Sequence, residues 1–121
     1  DTALIAPLRR AFYGGEAFET AHRTRLAAWL DRYVERVRAD GASAATRIQC
    51  MDAANPKYVL RNYLAQLAID ALAQGDASVM ERLMRVLERP YDEQPGNDDL
   101  AERRPEWARN RPGCSALSCS S

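Results

Sequence analysis

Residues 55–74 read Asn-Pro-Lys-Tyr-Val-Leu-Arg-Asn-Tyr-Leu-Ala-Gln-Leu-Ala-Ile-Asp-Ala-Leu-Ala-Gln. Val59, Leu60, Tyr63, Leu64, Leu67, Ala68, Ala71 and Leu72 recur at spacings of three and four, the period of a helix with one apolar side. Asn55 and Pro56 form a start signal. An Asn side chain accepts from the free amides of a first turn, and Pro at the first helical position gives up no needed donor. A helix from Pro56 to about Gln74 is therefore predicted. Its apolar arc is broad, which makes it the central and most buried helix. Gly75-Asp76 closes it and opens the next.

The pattern extends outward on both sides. Downstream, Val79, Met80, Leu83, Met84 and Leu87 predict a fifth helix to about Glu88, with Ser78 and Glu81 in capping-box spacing and Asp76 competing for the cap. Upstream, Ser43 can cap a short third helix over about 43–53, with Ile48 and Met51 or Cys50 inward. From about Phe18 to Asp40, Leu26, Trp29, Leu30, Tyr33, Val34 and Val37 form one buried stripe, and Gly41 suits the position after the last turn. Leu4, Ile5, Leu8 and Phe12 share a face of a short first helix broken by Gly14-Gly15. No β-alternation of useful length occurs. The reading is all-α, about five helices. Helices 56–74 and 76–88 also look like one helical-repeat pair, without the 34-residue period an array requires.

After Arg89 the character changes. Pro90, Pro95, Gly96, Pro105, Pro112 and Gly113 leave room for one helical turn near Asp98–Arg103 and another near Pro105–Ala108. The predicted organisation is a helical region over 1–89 and an extended tail over 90–121, which either wraps the helices or is mobile.

The chain has 121 residues, 17 basic and 17 acidic, and a formal net charge of zero. That length can bury a core without disulfides. Neutrality argues against duplex DNA or an anionic membrane as partner. Sixteen of the basic residues are Arg and only Lys57 is Lys, a pattern expected from a GC-rich genome. No stretch approaches a membrane span and no secretion leader is apparent. Three Cys are too few for a disulfide scaffold, and with His22 they are too scattered for structural zinc. The chain opens on Asp1 rather than Met, as expected of a fragment or processed form.

Convergent catalytic groups are sparse. His22 lies among Glu19, Arg23 and Arg25 on a face expected to be solvated, and Asp98-Asp99, being adjacent, cannot share a helical face. No glycine-rich phosphate loop, H-E-x-x-H or C-x-x-C is present. Lys57 could meet a phosphate at a helix start or be an ordinary first-turn surface residue. Arg103, Arg104, Arg109 and Arg111 around Trp107 could contact single-stranded nucleic acid, but neighbouring acids and neutrality weigh against it. Cys50, beside Met51 in a helix, is expected to be a buried inert thiol. Cys119, third from the end among Ser118, Ser120 and Ser121, has nothing to bury it and could exchange with a partner sulfur. From spacing alone, Cys114 and Cys119 could form a small loop disulfide or remain free.

The run Asn55-Pro56-Lys57-Tyr58-Val59-Leu60-Arg61-Asn62-Tyr63-Leu64-Ala65-Gln66 is followed in order by Leu87-Glu88-Arg89-Pro90-Tyr91-Asp92-Glu93-Gln94-Pro95, Pro105-Glu106-Trp107-Ala108 and the closing Ser118-Cys119-Ser120-Ser121. Together these resemble the C-terminal end of the selenoprotein O family, over about residues 55–121. The resemblance implies a larger protein with a kinase-like fold, a pseudokinase that transfers AMP from ATP, with Mg or Mn, to hydroxyl side chains of proteins. It places the nucleotide and metal residues N-terminal to this region, so no catalytic, cofactor or metal residue is assigned here. It assigns Cys119 a redox role, as a tail thiol able to pair with a Cys of the kinase-like part and restrain activity. Cys114 and the Arg-rich stretch 102–111 depart from the expected pattern.

For Asn55, Pro56, Lys57, Tyr58, Arg61 and Asn62 the preferred reading is structural: a capped core helix in which Tyr58, Leu60, Tyr63, Leu64 and Leu67 bury. The partners implied are the kinase-like part of the same polypeptide and protein substrates, with neither nucleic acid nor membrane, in a bacterial cytoplasm. The alternative is a non-enzymatic helical interaction module using the apolar face of helix 56–74 or the tail.

Overall fold

The structure, a computed structural model, describes residues 2–12 and 21–114. Its elements are α1 (Thr2–Ile5), a 3-10 segment (Ala6–Ala11), α2 (Ala21–Asp40), α3 (Ala44–Ala54), α4 (Asn62–Ala73), α5 (Ser78–Leu87) and two 3-10 turns (Asp98–Ala101, Glu106–Ala108). The class is all-α, with no strand among the described residues. The chain divides into two compact units, residues 1–48 and 49–121.

In the first unit the core is small. Ile5 and Leu30 are buried, with Leu8, Leu26 and Ala27 packed against them. The stripe of α2 is only partly covered: Trp29 and Tyr33 are exposed and stack on each other, ring centroids 5.5 Å apart. The 3.6 period correctly places these rings beside Leu30, but period alone does not say how much of an apolar side is covered. Arg36 and Asp40 pair at 3.0 Å on the polar side. Gly41 follows the last turn with φ +67°. The expected break at Gly14-Gly15 lies outside the described residues.

The Ser43 cap of α3 forms as expected, with the Thr46 N–H donating to Ser43 Oγ at 3.1 Å. The rest of that expectation is corrected, because Ile48, Cys50 and Met51 are all exposed.

The second unit holds the larger core: Tyr58, Tyr63, Leu64, Ala68, Leu83, Val86, Leu100, Ala108 and Cys114. Its two helices, α4 and α5, form a hairpin. The hairpin turn is a Schellman motif: Asp76 N–H donates to Ala71 O and Gly75 N–H to Leu72 O, both at 2.9 Å. Gly75 makes this possible at φ +81°, where a side chain would strain the backbone. Asp76 then accepts from the Ser78 N–H at 2.9 Å, so Asp76 rather than the Ser78 hydroxyl serves the start of α5.

The central helix is shorter than its apolar pattern predicts. It begins at Asn62, after Arg61 with extended ψ of 150°. Asn55 does not cap it. The Asn55 backbone N–H and side-chain Nδ2 both donate to Met51 O, at 2.9 and 2.8 Å, and so finish α3. Lys57 and Tyr58 donate their N–H groups to Pro90 O at 2.9 and 3.1 Å. That carbonyl, far away in sequence, takes the amides that a helix beginning at Pro56 would have used, and segment 56–61 runs non-helical. Val59 and Leu60 in that segment are exposed, as is Leu67 on α4 itself, while Tyr58, Tyr63 and Leu64 are buried.

Residues 90–114 contain only the two short turns, yet they pack closely. Leu100, Ala108 and Cys114 sit in the same core as α4 and α5. Of the two paths open to the tail, its described part takes the one over the helices.

Candidate functional site around residues 55–62

Lys57 occupies the middle of the quoted run. Its ammonium donates to Glu93 Oε2 at 2.5 Å and to Asp98 Oδ1 at 2.7 Å. The hydrogen bond to Asp98 and then that to Glu93 raise its pKa, so it stays charged throughout the ordinary pH range. The only Lys is therefore a clamp between two points of the following segment, not an open phosphate contact. Beside it Tyr58 is 2% exposed and its hydroxyl donates to Gln94 O at 3.3 Å. Asn55, Pro56, Arg61 and Asn62 are exposed, and the Arg61 and Asn62 side chains have no partner among the described residues.

The segment after α5 is fastened at further points. Gln94, 8% exposed, donates through Nε2 to Val86 O and Arg89 O, each at 2.9 Å. All three nitrogens of Arg82 are engaged: Nε donates to Asn97 Oδ1, the two terminal nitrogens to Asp99, and one of them also to Gly96 O. That fork holds the Asp99 carboxyl below the usual carboxylate range. Asp98 and Asp99, adjacent in sequence, thus serve different cations. The Tyr63 hydroxyl donates to Glu102 O at 3.2 Å, and its ring meets Trp107 edge-on at 6.3 Å between centroids. Arg111 pairs with Asp70 at 2.8 Å and lies over the Trp107 ring, while Gln66 donates to the same carboxylate. Together, Arg111 first, they depress the Asp70 pKa.

The other residues singled out in the sequence are placed as follows. In the Arg-rich stretch, Arg111 pairs with Asp70 and Arg109 with Glu106, so both guanidiniums already face carboxylates. His22 is exposed. Cys50 is exposed, contrary to its expected burial, because α3 turns that side to solvent. Cys114 is 5% exposed, in the core, with a free thiol. Cys119 lies outside the described residues. Among the described residues no group of three or more His, Cys, Asp or Glu is placed to hold a metal ion. No helix among them is long and apolar enough to cross a membrane. Gln94 lies within a quoted run, yet a Gln beside a turn gives no sign in the sequence of which carbonyls it will meet. Arg82, an Arg on an exposed helical side, reads in the sequence as solvated charge.

No family model matches the chain. It is similar to protein nucleotidyltransferase YdiU of Nitrosospira multiformis, 62% identical over 122 residues, covering 100% of the chain and 22% of that relative. The protein of the same name from Xanthomonas campestris pv. campestris strain B100 is 56% identical over 114 residues, covering 94% of the chain and 22% of the relative. The one from Rhodopirellula baltica is 52% identical over 122 residues, with 98% and 23% covered. The chain spans about a fifth of the length of these curated relatives and matches their C-terminal region. On this identity over the whole chain, it matches the C-terminal region of the selenoprotein O family.

Proposed function

We infer that this chain is the C-terminal region of a bacterial, cytoplasmic protein adenylyltransferase, which transfers AMP from ATP, with Mg or Mn, to hydroxyl side chains of proteins. The observation that carries the reading is the 62% identity, over the whole chain, to a protein named for nucleotidyl transfer. The described residues do not fit the divalent ion, since no three or more of their His, Cys, Asp or Glu side chains cluster and the carboxylates of Glu93 and Asp98 are taken by the Lys57 ammonium. No step of the transfer is routed through them. In this reading the α4–α5 hairpin and the segment clamped over it brace a kinase-like part of the same polypeptide.

Cys119 acts in this reading as a redox thiol that pairs with a Cys of the kinase-like part and restrains activity. Cys114 is anchored in the core. Four residues lie between the two positions, five steps along the chain, so the Cα of Cys119 can stand at most about 18 Å from that of Cys114. The partner sulfur has to lie within that radius plus the span of one disulfide.

The test is AMP incorporation from labelled ATP into protein, with Mg or Mn. The full-length protein should label substrates and the 121-residue chain alone should not; transfer by the chain alone would overturn the assignment. In the full-length protein Cys119→Ser should abolish the difference between oxidised and reduced activity. An unchanged response to oxidant would remove the redox role and leave the transfer assignment standing.

A further inference from the structure

Away from the clamp at Lys57, one cleft gathers cationic side chains. It has a volume of about 350 Å³ and is lined by Arg82, Arg85, Val86, Arg89, Gln94 and Asn97. The arginines stand at i, i+3 and i+7, which aligns them along one side of α5 and the turn that continues it.

Their states differ. Arg82 donates four of its five N–H groups to Asp99, Asn97 and Gly96, and its charge is matched by the Asp99 carboxylate. The Arg85 and Arg89 side chains are exposed and have no partner among the described residues. Asn97 accepts from Arg82 through Oδ1, which leaves its amide NH₂ as a donor at the cleft. A helix C-terminus ordinarily disfavours an anion because its last carbonyls are unpaired. Here Gln94 Nε2 covers one of them, that of Val86, and also the Arg89 carbonyl in the turn beyond. The cleft therefore offers two unpaired guanidiniums and a carboxamide donor.

We propose that this cleft binds a dianionic phosphoryl group, either free phosphate or the terminal group of a small phosphomonoester, through Arg85, Arg89 and the Asn97 amide. Two unpaired positive charges are matched by one dianion, whereas a carboxylate leaves one uncompensated. The oxygens of a tetrahedral phosphate can accept from two guanidinium forks at once. Arg82 is a positioning residue, holding Asn97 and the Gly96 turn in place. This inference is independent of the nucleotidyl-transfer reading.

The test is a titration of the 121-residue chain at pH 8 and low salt with inorganic phosphate, AMP and acetate, followed by backbone amide chemical shifts. Phosphate should saturate with a Kd in the millimolar range, about −4 kcal/mol, with shifts centred on residues 82–97. Acetate should bind at least about tenfold more weakly, by the loss of one paired charge. Arg85→Ala with Arg89→Ala should weaken phosphate by at least about tenfold. Both residues are exposed, so unchanged shifts in the Tyr58–Leu64 core check that the variant folds. Asn97→Ala is the second variant and should weaken phosphate less than the arginine pair does. AMP equal to phosphate identifies the phosphoryl group as the whole ligand, and tighter AMP adds a nucleoside contribution to the same site. Acetate binding as well as phosphate, no saturable phosphate binding, or a double variant that binds like the parent overturns the proposal.

Discussion

Gln94 Nε2 donates to the Val86 carbonyl at 2.9 Å, tying the last turn of α5 to the segment that follows it. The same nitrogen donates to Arg89 O, and the Gln94 backbone carbonyl accepts from the buried Tyr58 hydroxyl. One side chain thus closes a helix end, while its own backbone receives the run at 55–62. Gln94→Ala takes this donor from both carbonyls, which keep only the backbone N–H groups of Arg89 (to Val86 O, 3.3 Å) and Asp92 (to Arg89 O, 3.2 Å), and each hydrogen bond lost costs about 0.5–1.5 kcal/mol. Urea unfolding should show a lower midpoint at unchanged slope. A loss below about 0.5 kcal/mol would mean that water replaces the carboxamide fully.

Two glycines after helices or turns separate backbone strain from crowding. Gly75 (φ +81°) has nothing within 4 Å of the place a Cβ would occupy, whereas at Gly113 (φ +85°) that Cβ would stand 2.9 Å from Gln66 Oε1. Gly75→Ala should cost roughly 1 kcal/mol from the left-handed backbone alone. Gly113→Ala should cost more and should also disturb the Gln66–Asp70 hydrogen bond, since the end of the Gln66 side chain must move. Equal costs and an unshifted Asp70 environment would argue against the close approach of the tail to α4.

Acid should act on the same fastenings. Arg82 holds the Asp99 carboxyl low, and Arg111 with Gln66 does the same for Asp70. A carboxyl whose folded pKa lies below its unfolded value, about 3.9, stabilises fully above that value and loses its contribution as pH falls through the folded one. Neither residue should contribute to a difference between pH 7 and pH 5, and both should contribute to a decline below about pH 4. Lys57 works in the opposite direction: its raised pKa confines any loss to pH above the unfolded Lys value, about 10.4. Unfolding curves of Asp99→Asn against the parent at pH 7, 5 and 3 check this. The variant should be less stable at pH 7 and the gap should narrow at pH 3. A constant gap would detach the pair from folding.

How far the sequence could be read follows from the range of each interaction. Local signals were legible: the Ser43 cap, the Gly75 turn, the 3-10 turns near Asp98 and Glu106, and the inward Tyr63, Leu64, Leu83 set all depend on neighbours within a turn or two. The start of α4 was not legible. It is decided by Pro90 O, more than thirty positions away, which claims the Lys57 and Tyr58 amides and overrides an Asn-Pro start signal. The clamp at Lys57 is hidden for the same reason, since Glu93 and Asp98 look like ordinary solvated acids until the segment folds back. The exposed Trp29–Tyr33 pair marks the opposite error: a periodic apolar stripe was read as buried when only the part around Leu30 is covered.

The cysteines give the sharpest contrast available to a chemical probe. Cys50 is exposed on α3, and Cys114 is buried against the core formed by Tyr63, Leu64 and Ala108. A thiol reagent reaches a buried sulfur only when the surrounding structure opens, so its rate is scaled by that opening. In the native chain at neutral pH, Cys50 should label at a rate near that of an unhindered thiol. Cys114 should label about 100-fold more slowly, the factor set by an opening of roughly 3 kcal/mol. Peptide mass spectrometry resolves the two sites. Under denaturant the rates should converge, because intrinsic thiol reactivity then dominates. The Gln94→Ala variant should speed Cys114 more than Cys50, since weakening the segment at residue 94 loosens the path that leads to Cys114. Comparable native rates at Cys50 and Cys114 would show that residues 98–114 are not held on α4 and α5. The anchor point that limits the reach of Cys119 would then have to move upstream.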